Sequence, residues 1–353
     1  MNISLDTPVG LVGLGNMGTG VAENLQKNGF RLTVHERSER VRQWAAGRSG
    51  VRLTPSLREL SSLSKVVLIL VTDNRALAEV LYSPEGILSG IRRGSLVIDM
   101  TTGDPTIAVE NHRRLAKKGV RFLEAPMTGG ATGAREGRLL LMVGGDRRLC
   151  RDCQPLFSAI ARKVVYAGGP GQGQTVKLLQ NQLSFTLFLA TCEAFWMGTA
   201  LGFQESVLLE VFQNSNARSY ETELRFPRFI LPRNFQSGAA IRTGYKDLKL
   251  ITDLEHRLGM DLPLATTVWK YWEAAMDRLG GDADFSRIYE FVRGKGELKT
   301  LAARLGKSDV PRPPQAPSAG TASTGARRGK TGTRRPRSTA AGPGAKGTNG
   351  HPR

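Results

Sequence analysis

Residues 168–203 read GGPGQGQTVKLLQNQLSFTLFLATCEAFWMGTALGF. A glycine-rich turn, Gly168 to Gly173, opens into about thirty residues of strong helix formers with no proline, which predicts one helix of about 45 Å. Lys177 and Asn181 stand four apart near its start, so an ammonium and a side-chain amide share one face. Beyond them the only charged residue is Glu193, and apolar residues run nearly all the way round. That pattern predicts a buried helix. A membrane span fits less well, because Gln180, Asn181, Gln182 and Glu193 interrupt the run and no basic flank follows it. The stretch is therefore expected to be the central helix of a second domain, with no membrane involved.

Upstream, Val9-Gly10-Leu11-Val12 is a short apolar strand that runs straight into Gly13-Leu14-Gly15-Asn16-Met17-Gly18. A helix over Thr19 to Asn28, closed by Gly29, and a second strand from Arg31 to Val34 complete the unit. A lone G-x-G-x-x-G is weak, but in this context it predicts a dinucleotide site in which the backbone approaches a pyrophosphate at a helix N-terminus. Glu36, eighteen positions after Gly18, can accept hydrogen bonds from ribose hydroxyls and favours NAD. Arg37 and Ser38 would suit the 2′-phosphate of NADP. NAD is expected, since a carboxylate facing a phosphate costs more than an unused arginine on a rim.

Strand-like runs recur at residues 66–71, 96–100, 120–123 and 139–143, with helical stretches at 75–82 and 106–118. This alternation predicts a doubly wound, mostly parallel sheet. Val71-Thr72-Asp73 and Thr101-Thr102-Gly103 fall at the carboxyl ends of strands, where such sheets bind dinucleotides. In the loop from Glu124, Thr128-Gly129-Gly130 offers a hydroxyl and two adjacent amides able to hold a carboxylate. Helical patterns follow at 204–213, 244–258, 263–279 and 285–291, with Trp269 and Trp272 expected in a core or subunit interface.

The chain carries a net charge of +19 over 353 residues. Residues 307–353 hold ten Lys or Arg against one Asp, with no aromatic residue and Val310 as their one large aliphatic. Such a segment cannot bury enough surface to offset its ordering entropy and is expected to be a disordered tail with weak polyanion contacts at most. The expected division is a dinucleotide-binding domain at 1–168, an all-helical domain at 169–306 and the tail at 307–353. Three cysteines suggest a reducing, cytoplasmic setting. Cys150 and Cys153 lack a second pair or a nearby His, so no metal site is expected. Met1 to Thr7 has no basic region of the kind that begins a signal peptide.

The stretches GLVGLGNMG, DMTTGDP, EAPMTGGATGAREGRLLLMVGG, GQGQTVKLLQN and YKDLKL, in that order between residue 9 and about residue 295, resemble the β-hydroxyacid dehydrogenases. That group contains 3-hydroxyisobutyrate dehydrogenase, tartronate semialdehyde reductase and 6-phosphogluconate dehydrogenase. The resemblance implies an α/β Rossmann domain followed by an all-α domain, assembled as a homodimer or homotetramer. It implies Lys177 as catalytic acid/base, Asn181 as the amide that positions a small hydroxyacid, and Thr128-Gly129-Gly130 as the carboxylate site. It also places Thr102 and Lys246 at the cofactor. Thr128 stands where serine is common, and Glu36 where Asp or Asn is more usual.

The implied reaction asks a base to take a hydroxyl proton while a hydride leaves, and an acid to return it in reverse. Burial lowers a lysine pKa towards the range that serves both roles. No carboxylate neighbours Lys177 in the sequence. The competing expectations are an imine reductase-like enzyme, a class that usually carries another residue at the lysine position, and a nucleic-acid-associated protein with a degenerate dehydrogenase body.

Overall fold

The computed structural model describes residues 1–35 and 38–294. Glu36, Arg37, the last twelve residues of the expected helical domain and the whole expected tail lie outside the described residues.

The sheet takes its strands in chain order from β1 (Val9–Val12), β2 (Leu32–His35), β3 (Val51–Leu53), β4 (Val66–Ile69), β5 (Leu96–Asp99), β6 (Arg121–Glu124), β7 (Met127–Thr128), β8 (Leu139–Gly145) and β9 (Ala161–Gly168). In space the order is β3-β2-β1-β4-β5-β6-β8-β7, with β9 beside β8. β3 through β6 are parallel, whereas β8 runs antiparallel to β6 and to β7. The leading six strands therefore have the doubly wound order of a Rossmann domain, which reverses between β1 and β4. β1, β4 and β5 are buried along their whole length. Helices cover both faces, which is why these strands read as continuous Val/Ile/Leu runs. Two apolar clusters fill the two faces, one through Leu11, Val34 and Leu68, the other through Val67, Ile69 and Phe122. The short strands β3 and β7, the eight-residue β9 and the helices Glu39–Ala45 and Leu57–Leu63 are not among the elements the sequence pattern predicts.

β9 ends at Gly168, and Gly171, with φ +85°, turns the chain into the helix Gln172–Ala200. Around it stand the helices Glu205–Gln213, Ile241–Arg257, Pro263–Leu279 and Ile288–Gly294 and a π-helix, Glu221–Ile230, that contains Pro227. Proline cannot donate to the helical ladder, which accounts for the wide turn there. Their shared core holds Phe188, Phe195, Phe226, Trp272 and Tyr289. Trp272 is fully buried, and Gly244 is required beside it: a Cβ there would stand 2.4 Å from Nε1.

The long helix is not buried all round, contrary to its composition. Gln174, Lys177, Asn181, Phe188, Cys192 and Phe195 form the inward face, polar in its first half and apolar in its second. Val176, Leu179, Leu183 and Leu187, spaced three or four apart, form an outward stripe on which Leu179 is 54% and Leu183 62% exposed. By length and composition the helix could cross a membrane; its inward face packs among the other helices, where 28% of its most apolar 18 residues are buried.

Candidate active site

β1 delivers Gly13, whose φ of +91° and whose absent Cβ, which would sit 2.0 Å from the Leu70 carbonyl, allow the chain to turn between β1 and β4. Gly18 lies under that turn, where a Cβ would meet the Gly13 carbonyl at 1.8 Å. At Gly15 a Cβ would meet nothing within 4 Å. Gly15 is the N-cap of the helix Asn16–Lys27, and no side chain caps that end. Tight turn, open approach and close packing are thus divided among three glycines, and the helix N-terminus favours an anion before it. The cradle fits a dinucleotide pyrophosphate.

The loops beside it are tied together. Val71 N–H donates to Thr101 Oγ1 at 3.2 Å. Gln174, from the long helix, donates to the Thr101 carbonyl at 2.7 Å and accepts from Gly103 N–H at 2.9 Å. Lys246 Nζ, from the helix Ile241–Arg257, donates to the Thr102 carbonyl at 2.6 Å. Thr102 and Lys246, 144 positions apart, are therefore in contact. Thr72 hydrogen-bonds Asp73, the N-cap of the next helix.

Lys177 is 6% exposed, and its Nζ donates to Asn181 Oδ1 at 2.8 Å and to Gln180 Oε1 at 3.0 Å. Asn181 Nδ2 donates to Asp247 Oδ2 at 2.7 Å. The other carboxylate oxygen of Asp247 is 2.8 Å from Lys246 Nζ, an ion pair whose angles fall outside hydrogen-bond geometry. One chain of contacts thus runs from Lys177 through Asn181 and Asp247 to Lys246 and Thr102. Burial lowers the Lys177 pKa to about 8, the Asp247 charge opposes that fall and the Lys246 charge adds to it. The carboxylate missing from the local sequence is supplied through space.

Below this network, Glu124 Oε1 accepts from Gly173 N–H at 3.3 Å, four residues before Lys177, and burial raises the Glu124 pKa. Its strand neighbour Asp99 is also buried, and its pKa is pushed up to about 7 against the Thr101 amide that favours the charged form. Four residues past Glu124, β7 presents Thr128, followed by Gly129 and Gly130 with φ of +129° and +62°. A Cβ on Gly130 would meet nothing within 4 Å, so its backbone faces open space. Among the described residues no hydrogen bond joins Thr128, Gly129 or Gly130 to the Lys177 network.

Glu36 and Arg37 lie outside the described residues. Asp247, Gln174 and Gln180 carry no role in the sequence reading, although Gln174, three positions before Lys177, lies on its helix face and Asp247 adjoins Lys246. Helical spacing could have found the first. Only the packing of two helices brings Asp247 to Asn181.

Residues 8–168 match the model of the NAD-binding domain of 6-phosphogluconate dehydrogenase, and residues 171–292 that of the NAD-binding domain of NADP-dependent 3-hydroxyisobutyrate dehydrogenase. The chain is 29% identical to mitochondrial 3-hydroxyisobutyrate dehydrogenase of Mus musculus, over 81% of this chain and 87% of the relative. It is also 29% identical to an NAD-dependent L-serine dehydrogenase of Pseudomonas aeruginosa, over 79% of this chain and 96% of the relative. Among solved structures, Mycobacterium tuberculosis 3-hydroxyisobutyrate dehydrogenase with L-serine superposes with a TM-score of 0.74 at 27% identity, covering 81% of this chain and 99% of that one.

Proposed function

The chain belongs to the β-hydroxyacid dehydrogenase family, NAD(P)-dependent oxidoreductases acting on CH–OH, and on that premise we propose that it oxidises a small 3-hydroxyacid with Lys177 as the general acid/base. The observation that carries the reading is the Lys177 amine itself: buried, held by Asn181, and with a pKa of about 8. A lysine poised there offers both a neutral amine and an ammonium near neutral pH. Bound NAD(P) supplies the hydride acceptor. Lys177 Nζ takes the proton of the substrate hydroxyl and returns it in the reductive direction. Asn181 aims that amine, because its own Nδ2 is committed to Asp247 and its Oδ1 is left to accept from Lys177.

Thr128, Gly129 and Gly130 hold the substrate carboxylate in this reading, which the open backbone at Gly130 supports. The substrate is of the 3-hydroxyisobutyrate or tartronate semialdehyde type, and L-serine, itself a 3-hydroxyacid, belongs in the same test. NAD is preferred over NADP because Glu36 follows the second strand. The outward stripe of the long helix, with Leu179 and Leu183 at its centre, is the surface through which copies of the chain assemble. A panel of hydroxyacids, each with NAD and NADP and followed by cofactor absorbance, tests the reading. Turnover of none of them, or turnover of cyclic imines instead, overturns it.

A further inference from the structure

Parallel strands all begin at one edge of a sheet, and here that edge lies opposite the glycine cradle and the Lys177 network. Each connection returns the chain there with a cation. Arg31 precedes β2, Lys65 precedes β4, Arg92 and Arg93 precede β5, and Lys117 and Lys118 precede β6. All six side chains are exposed. Because β2, β1, β4, β5 and β6 are consecutive neighbours at about 4.8 Å spacing, these charges line roughly 20 Å of edge.

The row is concentrated between β5 and β6. Arg121 donates to the Gly94 carbonyl at 2.7 Å, and a Cβ on Gly94 would stand 3.7 Å from Lys65 Nζ. A Cβ on Gly119 would stand 3.0 Å from the Arg93 guanidinium carbon. Arg121 and Gly119 continue into a cavity of about 550 Å³ that His112 and Arg148 also line. Among the described residues, none of Arg31, Lys65, Arg92, Arg93, Lys117, Lys118, Arg121 and Arg148 has a carboxylate within 4 Å. Asp6, ahead of β1, is the one exposed acid among these strand starts, against six cations; of the acids beside the cavity, Asp146 caps Leu149 N–H and Asp152 pairs with the amino group of Met1. Like charges gathered in such excess repel one another, and a polyanion relieves that repulsion.

We propose that this edge binds duplex DNA through its phosphates, without reading its sequence. A duplex presents one charge per about 1.7 Å, so the row faces on the order of ten phosphates. Single strands are held on aromatic platforms, and none of the exposed aromatic residues lies on this edge. Sequence readout needs a helix or a ribbon in a groove, whereas this edge is built of short connections. An anionic membrane would need apolar side chains to insert, and Leu5 is the one exposed large aliphatic here among the described residues.

The test is fluorescence anisotropy of a labelled duplex of about 20 base pairs with the full chain, against the variant Arg92→Ala/Lys117→Ala/Lys118→Ala, across a salt series. Removing three phosphate contacts should lower the slope of log Kd against log salt by about 3 and weaken binding at low salt at least about tenfold. Turnover and thermal midpoint should not change, since the edge is remote from the Lys177 network. A variant that keeps the wild-type slope and affinity overturns the proposal, because the contacts then lie elsewhere in the chain. Vesicles with phosphatidylserine that bind as tightly as the duplex also overturn it, as does a large difference in Kd between two unrelated duplex sequences. If the triple variant fails to fold, Lys65→Ala/Lys117→Ala provides the same comparison, with a slope change of about 2.

Discussion

Asn181 Nδ2 donates to Asp247 Oδ2 at 2.7 Å, joining two helices 66 residues apart in the chain. The bond fixes which way the amide points, since an amide has one acceptor oxygen and one donor nitrogen. With the nitrogen committed to the carboxylate, the oxygen must face Lys177. In the proposed reaction Lys177 is thus aimed by Asn181, which is itself held by Asp247.

Replacing the lysine gives the most direct result. Lys177→Ala should lower turnover at least about 10²-fold while leaving the Kd for NAD nearly unchanged. Turnover within a few-fold of wild type would remove Lys177 from the chemistry.

The pH profile carries the sign of the Asp247 charge. Burial holds the Lys177 pKa at about 8, below the ordinary lysine value of 10.5. For oxidation the neutral amine is the active form, so kcat/KM should rise with pH and level off above about 8. The Asp247 charge raises that pKa, so Asp247→Asn should move the acidic limb to lower pH, besides lowering kcat through the loosened Asn181. A limb that stays in place would uncouple Asp247 from the lysine. The same shift bears on folding: the unfolded lysine binds its proton more tightly, so the stability penalty of burying its charge is present below about pH 8 and is relieved as pH rises from there towards 10.5.

Two glycines of the nucleotide turn should respond differently to alanine. At Gly13 a Cβ meets a backbone carbonyl at 2.0 Å under a φ of +91°, so Gly13→Ala should lower the thermal midpoint markedly. At Gly15 the space is open, so Gly15→Ala should fold normally and raise the KM for NAD several-fold. Equal effects on midpoint and KM in both variants would contradict this division of roles.

Leu183 stands 62% exposed in the middle of the apolar stripe. Leu183→Glu should shift the protein to a smaller species in light scattering after size exclusion, without lowering helix content. An unchanged mass would place the subunit contact elsewhere.

The chain by itself determined the local units. Gly13, Gly15 and Gly18 between strand and helix, the alternation of strands and helices through residue 143, and the long helix with Lys177 and Asn181 four apart are all legible because each depends on neighbours within a few residues. Short elements escaped notice: β7 has two residues and β3 three, and neither has a periodicity to read. The π-helix is stabilised by tertiary packing of Phe226 and Ile230 rather than by propensity. Composition also misjudged the long helix, since residues apolar all round say that every face can be covered but not whether one chain supplies the cover. Only the tertiary structure decided that Asp247 holds Asn181, that Gln174 and Glu124 fasten the start of the long helix to the β5 and β6 loops, and that cations from four connections share one edge. Those relations join residues tens of positions apart, and charge and hydrogen bonding act over a few ångströms of space rather than along the sequence.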